Sequence, residues 1–335
     1  MQSAFVVAAP SPRRHRVAFA LLLGLAAMPA WAANVPQTVQ LTSGLNTGGT
    51  SFLDGFTRTT PGWALVQYLD YSDLDSIKDA NGHDSPAFRK PRIQTTSLLN
   101  QIVYVTPYKP FGGVLGFNTI VPVINMNSSF GNGSPATLSD NGLGLGDVTF
   151  GPYIQMLPVM RNGRPVFSQR FEFDVIVPVG KFDRDRDLNQ GAGYWSTIAN
   201  WAFTVLPTRN WEISARLNYI YNFRADKAAN VPELEGFNFR NGKAGDAAWI
   251  NFASSVAVAP NFRVGINGYY LQQLHDNRTN GQRVANTRQK KFYLGPGVSW
   301  TLDPRNFVNV NLYLPVKVEN AAAGNVVNLF YVHQF

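Results

Sequence analysis

The chain has 335 residues, only 15% of them charged, no cysteine and a formal charge of +8. Disulfide frameworks and thiolate metal sites are therefore excluded, and four dispersed histidines (His15, His83, His275, His333) give no HExxH spacing. Neither GxGxxG nor GxxxxGK followed by Ser or Thr occurs, so nucleotide chemistry has no support and no cofactor is expected.

Arg13, Arg14 and Arg16 precede an apolar run from Val17 to Ala27, and Ala30-Trp31-Ala32 supplies an A-x-A cleavage site. This is the pattern of a Sec signal peptide over residues 1–32, cut after Ala32. A retained membrane helix would need about 20 apolar residues, and Pro29 interrupts the run too early. Removing three arginines leaves 26 basic against 21 acidic residues, or +5. That excess is neither large nor clustered, so no nucleic-acid partner is expected.

Residues 33–60 follow, rich in Thr, Ser, Gly and Asn and too short for a core of their own. Two readings stay open: a flexible periplasmic segment, or a hatch folded into a lumen. Residues 61–335 form the remaining unit. Twelve period-two segments are expected, at 62–72, 92–106, 112–125, 146–157, 166–179, 194–205, 211–222, 247–258, 262–273, 290–302, 307–318 and 326–335. Each has about the ten residues that a tilted strand needs to cross a bilayer.

The connections alternate. Short ones follow the even-numbered segments, and long polar ones, such as Asn127 to Leu145 and Phe223 to Asp246, follow most odd-numbered ones. Such segregation predicts an all-β fold, an outer-membrane antiparallel β-barrel of about twelve strands, with tight turns on the periplasmic side and longer loops outside. Rings near the turns (Tyr108, Phe111, Trp211, Phe262, Trp300, Phe307) fit an interfacial girdle.

Facing polarity is clearest in the seventh segment, where Trp211, Ile213, Leu217 and Tyr219 alternate with Glu212, Ser214, Arg216 and Asn218. An arginine facing lipid at mid-depth costs about 2–4 kcal/mol, so the polar sets should line the lumen. The lumen candidates are Arg170, Glu172, Asp174, Arg216, Asn218, Arg263, Asn267, Tyr269, Gln273, Lys291 and Tyr293. They either line a path or brace the wall by pairing across it. The first two segments do not resolve which face is which.

Carboxylates gather at Asp70, Asp73, Asp75 and Asp79, and again at Asp183, Asp185 and Asp187. The second set spaces oxygen donors like a calcium loop, but intervening arginines offset it, so solvated loops and no metal are expected. Neither His275 nor His333 has a serine constellation beside it, which argues against an enzyme. In the last segment Leu329, Tyr331 and Phe335 share a face, a pattern read as an assembly signal for the barrel-assembly machinery.

Several stretches then resemble the outer-membrane family named for the meta-pathway of phenol degradation, whose members are described as transporters. They are GLGDVTFGPYIQM (Gly144 to Met156), VPVGKFD (Val177 to Asp183), YWSTIANWAFT (Tyr194 to Thr204), WEISARLNYIYN (Trp211 to Asn222), GINGYYLQQLHD (Gly265 to Asp276) and FYLGPGVSW (Phe292 to Trp300). The resemblance implies a barrel that helps small aromatic or hydrophobic compounds across the outer membrane, surrounded by lipid and lipopolysaccharide. It supplies no catalytic residues. A structural or adhesive barrel without solute transport is the alternative, and an outer-membrane lipid hydrolase a further one.

Overall fold

A strand with alternating residues has two unlike faces, and lipid leaves no solvent for the bare edge of an open sheet. The sheet must close. In a computed structural model, which describes residues 35–42, 44–229 and 237–335, it does so. The barrel strands are β1 (Gly62–Ile77), β2 (Arg92–Val105), β3 (Gly113–Ser129), β4 (Val148–Met156), β5 (Arg164–Val177) and β6 (Ser196–Val205). They continue as β7 (Trp211–Asn222), β8 (Ala247–Ala259), β9 (Phe262–Gln273), β10 (Lys290–Asp303), β11 (Asn306–Glu319) and β12 (Ala322–Gln334).

Each strand pairs antiparallel with its chain neighbours, and β1 pairs with β12 from Ala64↔Gln334 to Ile77↔Ala322, which removes both edges. The twelve expected segments overlap these twelve strands. The expected leader, 1–32, lies outside the described residues.

The two ends of the barrel differ. At one, the turn end, β2–β3, β4–β5, β6–β7, β8–β9 and β10–β11 are joined by residues 106–112, 157–163, 206–210, 260–261 and 304–305. At the other, the loop end, the connections include 78–91, 130–147, 178–195, 223–246 and 274–289. The β11–β12 link is only residues 320–321, with Asn320 at φ 52° to make the tight turn.

The outer face carries exposed Leu69, Phe117, Phe171, Phe173, Leu217, Ile266, Val310 and Leu329, while Glu212, Arg216, Asn218, Asn251, Asn267 and Asn311 are buried inside. Alternation alone produces this split, because successive side chains in a strand point to opposite faces.

The interior is filled partly by the chain itself. From residue 35 the backbone enters at the loop end, crosses the lumen without strand pairing and leaves at the turn end to begin β1. At the loop end the Thr38 and Thr279 hydroxyls meet at 2.8 Å, Asn277 Nδ2 donates to Val39 O at 3.0 Å, and the Tyr194 hydroxyl donates to Gln40 O at 2.6 Å. At the turn end Gly55 N donates to Thr204 Oγ1 at 2.8 Å, and Arg58 Nη1 donates to the main-chain oxygen of Phe335 at 2.7 Å. This lumenal thread decides the geometry of everything inside.

Candidate functional site

The thread is held to one side of the barrel. Leu53 and Asp54 face β5 and β7. The Asp54 carboxylate takes two bonds from Arg216, Nε to Oδ2 at 2.9 Å and Nη2 to Oδ1 at 2.6 Å, and Arg170 Nη2 stands 3.8 Å from Oδ1. A bidentate guanidinium–carboxylate pair fixes orientation as well as distance.

Around it, Arg170 Nε lies 3.3 Å from Glu172 Oε2, and Asn118 Nδ2 donates to Glu172 Oε1 at 2.8 Å and to Asp174 Oδ1 at 3.2 Å. Two cations thus meet three carboxylates, and the cluster is net negative if all are ionised. Higher on the thread, Asn251 Nδ2 donates to Asn46 O at 2.7 Å and the Tyr313 hydroxyl to Gly48 O at 2.6 Å. Gly48 sits at φ +76°, and a Cβ there would come within 2.8 Å of Tyr313 Cζ, so only glycine lets the thread lie this close to the ring.

Nearer the turn end Ser51 Oγ donates to Asn311 Oδ1 at 3.0 Å. Glu212, fully buried, accepts from Leu53 N at 3.3 Å, from Ser255 Oγ at 2.7 Å and from Ser214 Oγ. Arg263 Nε reaches the same group through Ser255 Oγ at 2.9 Å.

The opposite side stays open. Between the thread and the wall of β1–β4 and β12 runs a cavity of about 490 Å³. Its wall is apolar where the thread's side is polar: Ala64 and Val66 from β1, Leu99, Val103 and Val105 from β2, Ile120 and Pro122 from β3, and Phe330 and Val332 from β12. Tyr68 stacks on Phe330 with ring centres 5.0 Å apart, and Phe307 meets Phe330 edge-on at 5.6 Å.

Polar groups interrupt this wall: the Tyr68 hydroxyl donates to Gln101 Oε1 at 3.0 Å, Gln101 Nε2 donates to Asn118 Oδ1 at 3.3 Å, and Asn328 Nδ2 of β12 donates to the Asp70 carboxylate of β1, which lines the cavity. The Tyr153 ring packs on Gly116, where any Cβ would sit 2.2 Å from its Cζ, and its buried hydroxyl has no hydrogen-bond partner among the described residues.

The structure divides the eleven lumen candidates. Arg170, Glu172, Asp174, Arg216, Asn218 and Arg263 border the cavity. Asn267 instead bonds Asn311 at 3.2 Å beneath Phe52, and Tyr269 lies against Gly48 of the thread and stacks on Tyr293 at 4.9 Å. Gln273 anchors the β7–β8 and β9–β10 loops through Gly245 O and Asn277 Oδ1, and Lys291 sits in register between Leu271 and Val318. Leu329 and Phe335 point outward, and the outward Tyr331 hydroxyl donates to Asn306 Oδ1 at 2.6 Å.

Sequence reasoning missed Asp54 and the apolar wall, and it set Glu212 on the lumen face without making it a candidate. Asp54 did leave a trace, as the lone charge between residues 34 and 57.

The expectation of solvated loops fails for Asp70, which lies inside β1 and turns into the lumen, where it accepts from Asn328 Nδ2, whereas Asp79 and Asp187 do serve the loops. Asp79 Oδ1 accepts from Asn81 N and His83 N, and Asp187 Oδ2 from Ser139 N and Oγ. Burial pushes the Asp276 carboxyl up, but the Thr287 N–H and the Arg283 and Arg288 guanidiniums outweigh it and hold it below the usual carboxylate range. Among the described residues no group of three or more His, Asp or Glu side chains is placed to hold a metal ion. His333 Nδ1 meets Asn306 Oδ1 at 2.7 Å.

A family model described as "Putative MetA-pathway of phenol degradation" matches residues 74–330. Among solved structures, an outer membrane channel from Pseudomonas putida F1 aligns with TM-score 0.71 and 17% identity over 84% of this chain and 98% of that one, which establishes the same fold. The transport unit of the autotransporter AIDA-I from Escherichia coli (TM-score 0.44, 10% identity, 85% and 93% covered) and a FadL homologue from Pseudomonas aeruginosa (0.42, 10%, 89% and 100%) are more distant barrels. No curated protein matches the sequence significantly.

Proposed function

The chain belongs to the MetA-pathway of phenol degradation family, and from that premise we propose that it is an outer-membrane channel for small hydrophobic solutes, aromatic ones among them. The turn end faces the periplasm and the loop end the outside, as loop length dictates for such barrels. The Sec leader over 1–32 exports the chain, and Leu329, Tyr331 and Phe335 on the lipid side present the assembly signal. Lipid and lipopolysaccharide surround the barrel, and no enzymatic step is part of this reading.

The observation that carries the proposal is the asymmetry of the lumen. Arg216, Glu212, Asn251 and Asn311 hold the thread, and the space left over is walled mostly by Val66, Val103, Val105, Phe330 and Val332, with Asp70 and Gln101 as polar groups among them. A hydrated ion gains nothing from those apolar side chains, whereas an apolar solute leaves water at roughly 25 cal/mol per Å² buried. Arg170, Glu172, Asp174 and Arg216 form the far side of the path; the two arginines hold Asp54 and Glu172 pairs with both arginines, so lining and bracing are one role. The thread is the hatch that stops the lumen from leaking water.

The test is uptake of phenol, toluene and a linear alkane into liposomes carrying the full chain or a form lacking residues 36–58. Faster entry of the aromatics than protein-free vesicles allow supports the channel; rates no faster than those of protein-free vesicles for all three remove it. Loss of the thread should raise single-channel conductance severalfold, and unchanged conductance would dismiss the hatch.

A further inference from the structure

Toward the loop end the inner wall changes character. Ile176 of β5, Ile198 of β6, Ile220 of β7, Ala247 and Trp249 of β8 and Leu271 of β9 gather into one buried apolar cluster. Ile198 is in register with Ile220, Ile220 with Ala247, and Trp249 with Leu271, so the patch crosses neighbouring strands on the lumen face. Its inward neighbours along those strands are polar: Asp174, Ser196, Asn200, Asn218, Asn222, Asn251 and Gln273 are all buried.

Without the thread this patch would stand bare in the lumen. Among the described residues of the thread, Leu41, 9% exposed, is part of the cluster and covers it, with Leu45 packed against the edge. The patch joins the cavity below, because Leu45, Ile198 and Trp249 line both. Its one polar atom is committed, since Trp249 Nε1 donates to Asn46 O at 3.1 Å.

We propose that the Leu41 pocket is the entry site for an uncharged apolar solute from the outer side, and that Leu41 is its built-in competitor. The inference rests on the channel reading and deepens it. A solute of alkyl or monocyclic size takes Leu41's place against Ile198, Ile220 and Leu271, then moves past Leu45 into the cavity. The thread can yield here because side-chain groups hold it on either side, at Gln40 O and Asn46 O, through Tyr194 and Asn251. The pocket offers neither a free donor nor a charge of its own, so it selects against hydrophilic solutes of equal size.

The experiment uses the full chain in lipid nanodiscs with 4-bromotoluene, whose heavy atom quenches an indole that it touches. Subtracting the signal of a Trp249→Phe variant isolates Trp249. Leu41→Ala, and Leu41→Gln as a variant that keeps side-chain length, should each bind the probe about tenfold more tightly than the unaltered chain, as removal of a competing buried side chain requires. Leu41→Phe, which fills the pocket without adding an indole, should abolish the quenching.

Equal affinities in all four proteins would overturn the proposal. Toluene flux that responds to a blocking Val66→Trp change but to no Leu41 variant would likewise overturn it while leaving the channel intact. Absent flux, with binding still tightened by Leu41→Ala, would remove the channel and keep the site.

Discussion

Asp54 shows how one side chain can tie a lumenal segment to the barrel wall. Its pair with Arg216 is shielded from water on both sides, with side chains 9% and 7% exposed. Breaking a buried pair by removing one partner costs about 3–5 kcal/mol, because the other charge is left uncompensated. Asp54→Ala should therefore loosen the thread and raise single-channel conductance toward that of the chain lacking residues 36–58. Adding Arg216→Met should restore part of the closure, since the stranded cation is gone. Conductance unaffected by Asp54→Ala would mean that backbone bonds such as Gly55 N to Thr204 Oγ1 suffice.

The strands that resisted a facing assignment turn out to be the informative elements. In β7 the inner set is polar and the outer set apolar, as the lumen of a barrel demands. In β1 and β2 the inner sets include Ala64, Val66, Val103 and Val105, because they line the apolar cavity. Their outer sets include Gln67 and Asn100, flanked by exposed Leu69, Leu98 and Ile102. The pattern blurs because polarity is exchanged in both directions.

The outward pair survives because Gln67 Nε2 donates to Asn100 Oδ1 at 2.9 Å. Asn100→Leu alone should strand the Gln67 amide in lipid and destabilise the barrel by about 1–3 kcal/mol. Adding Gln67→Leu should recover most of that in urea unfolding from vesicles. Strictly additive losses would show that the pair never formed.

For the whole molecule the direction of the thread matters most. It enters among the loops and leaves among the turns, so Gln37 and Thr57 lie at opposite ends of one barrel. The cysteine-free sequence makes this easy to test. On intact cells a membrane-impermeant maleimide should label Gln37→Cys, and should reach Thr57→Cys only after the outer membrane is permeabilised. The reverse pattern would invert either the thread or the barrel.

Read alone, the sequence determined the architecture. A period of two makes strands, short and long connections in turn give the barrel two unlike ends, and the polar faces of β5, β7 and β11 must turn from lipid. Those are local properties, set by each residue and its near neighbours. The tertiary structure decided what fills the barrel. Asp54 meets Arg216 across 162 positions and Ser51 meets Asn311 across 260, contacts that no local period encodes. Only the closed wall brings them within reach, and only the thread's choice of the polar side leaves the apolar side free.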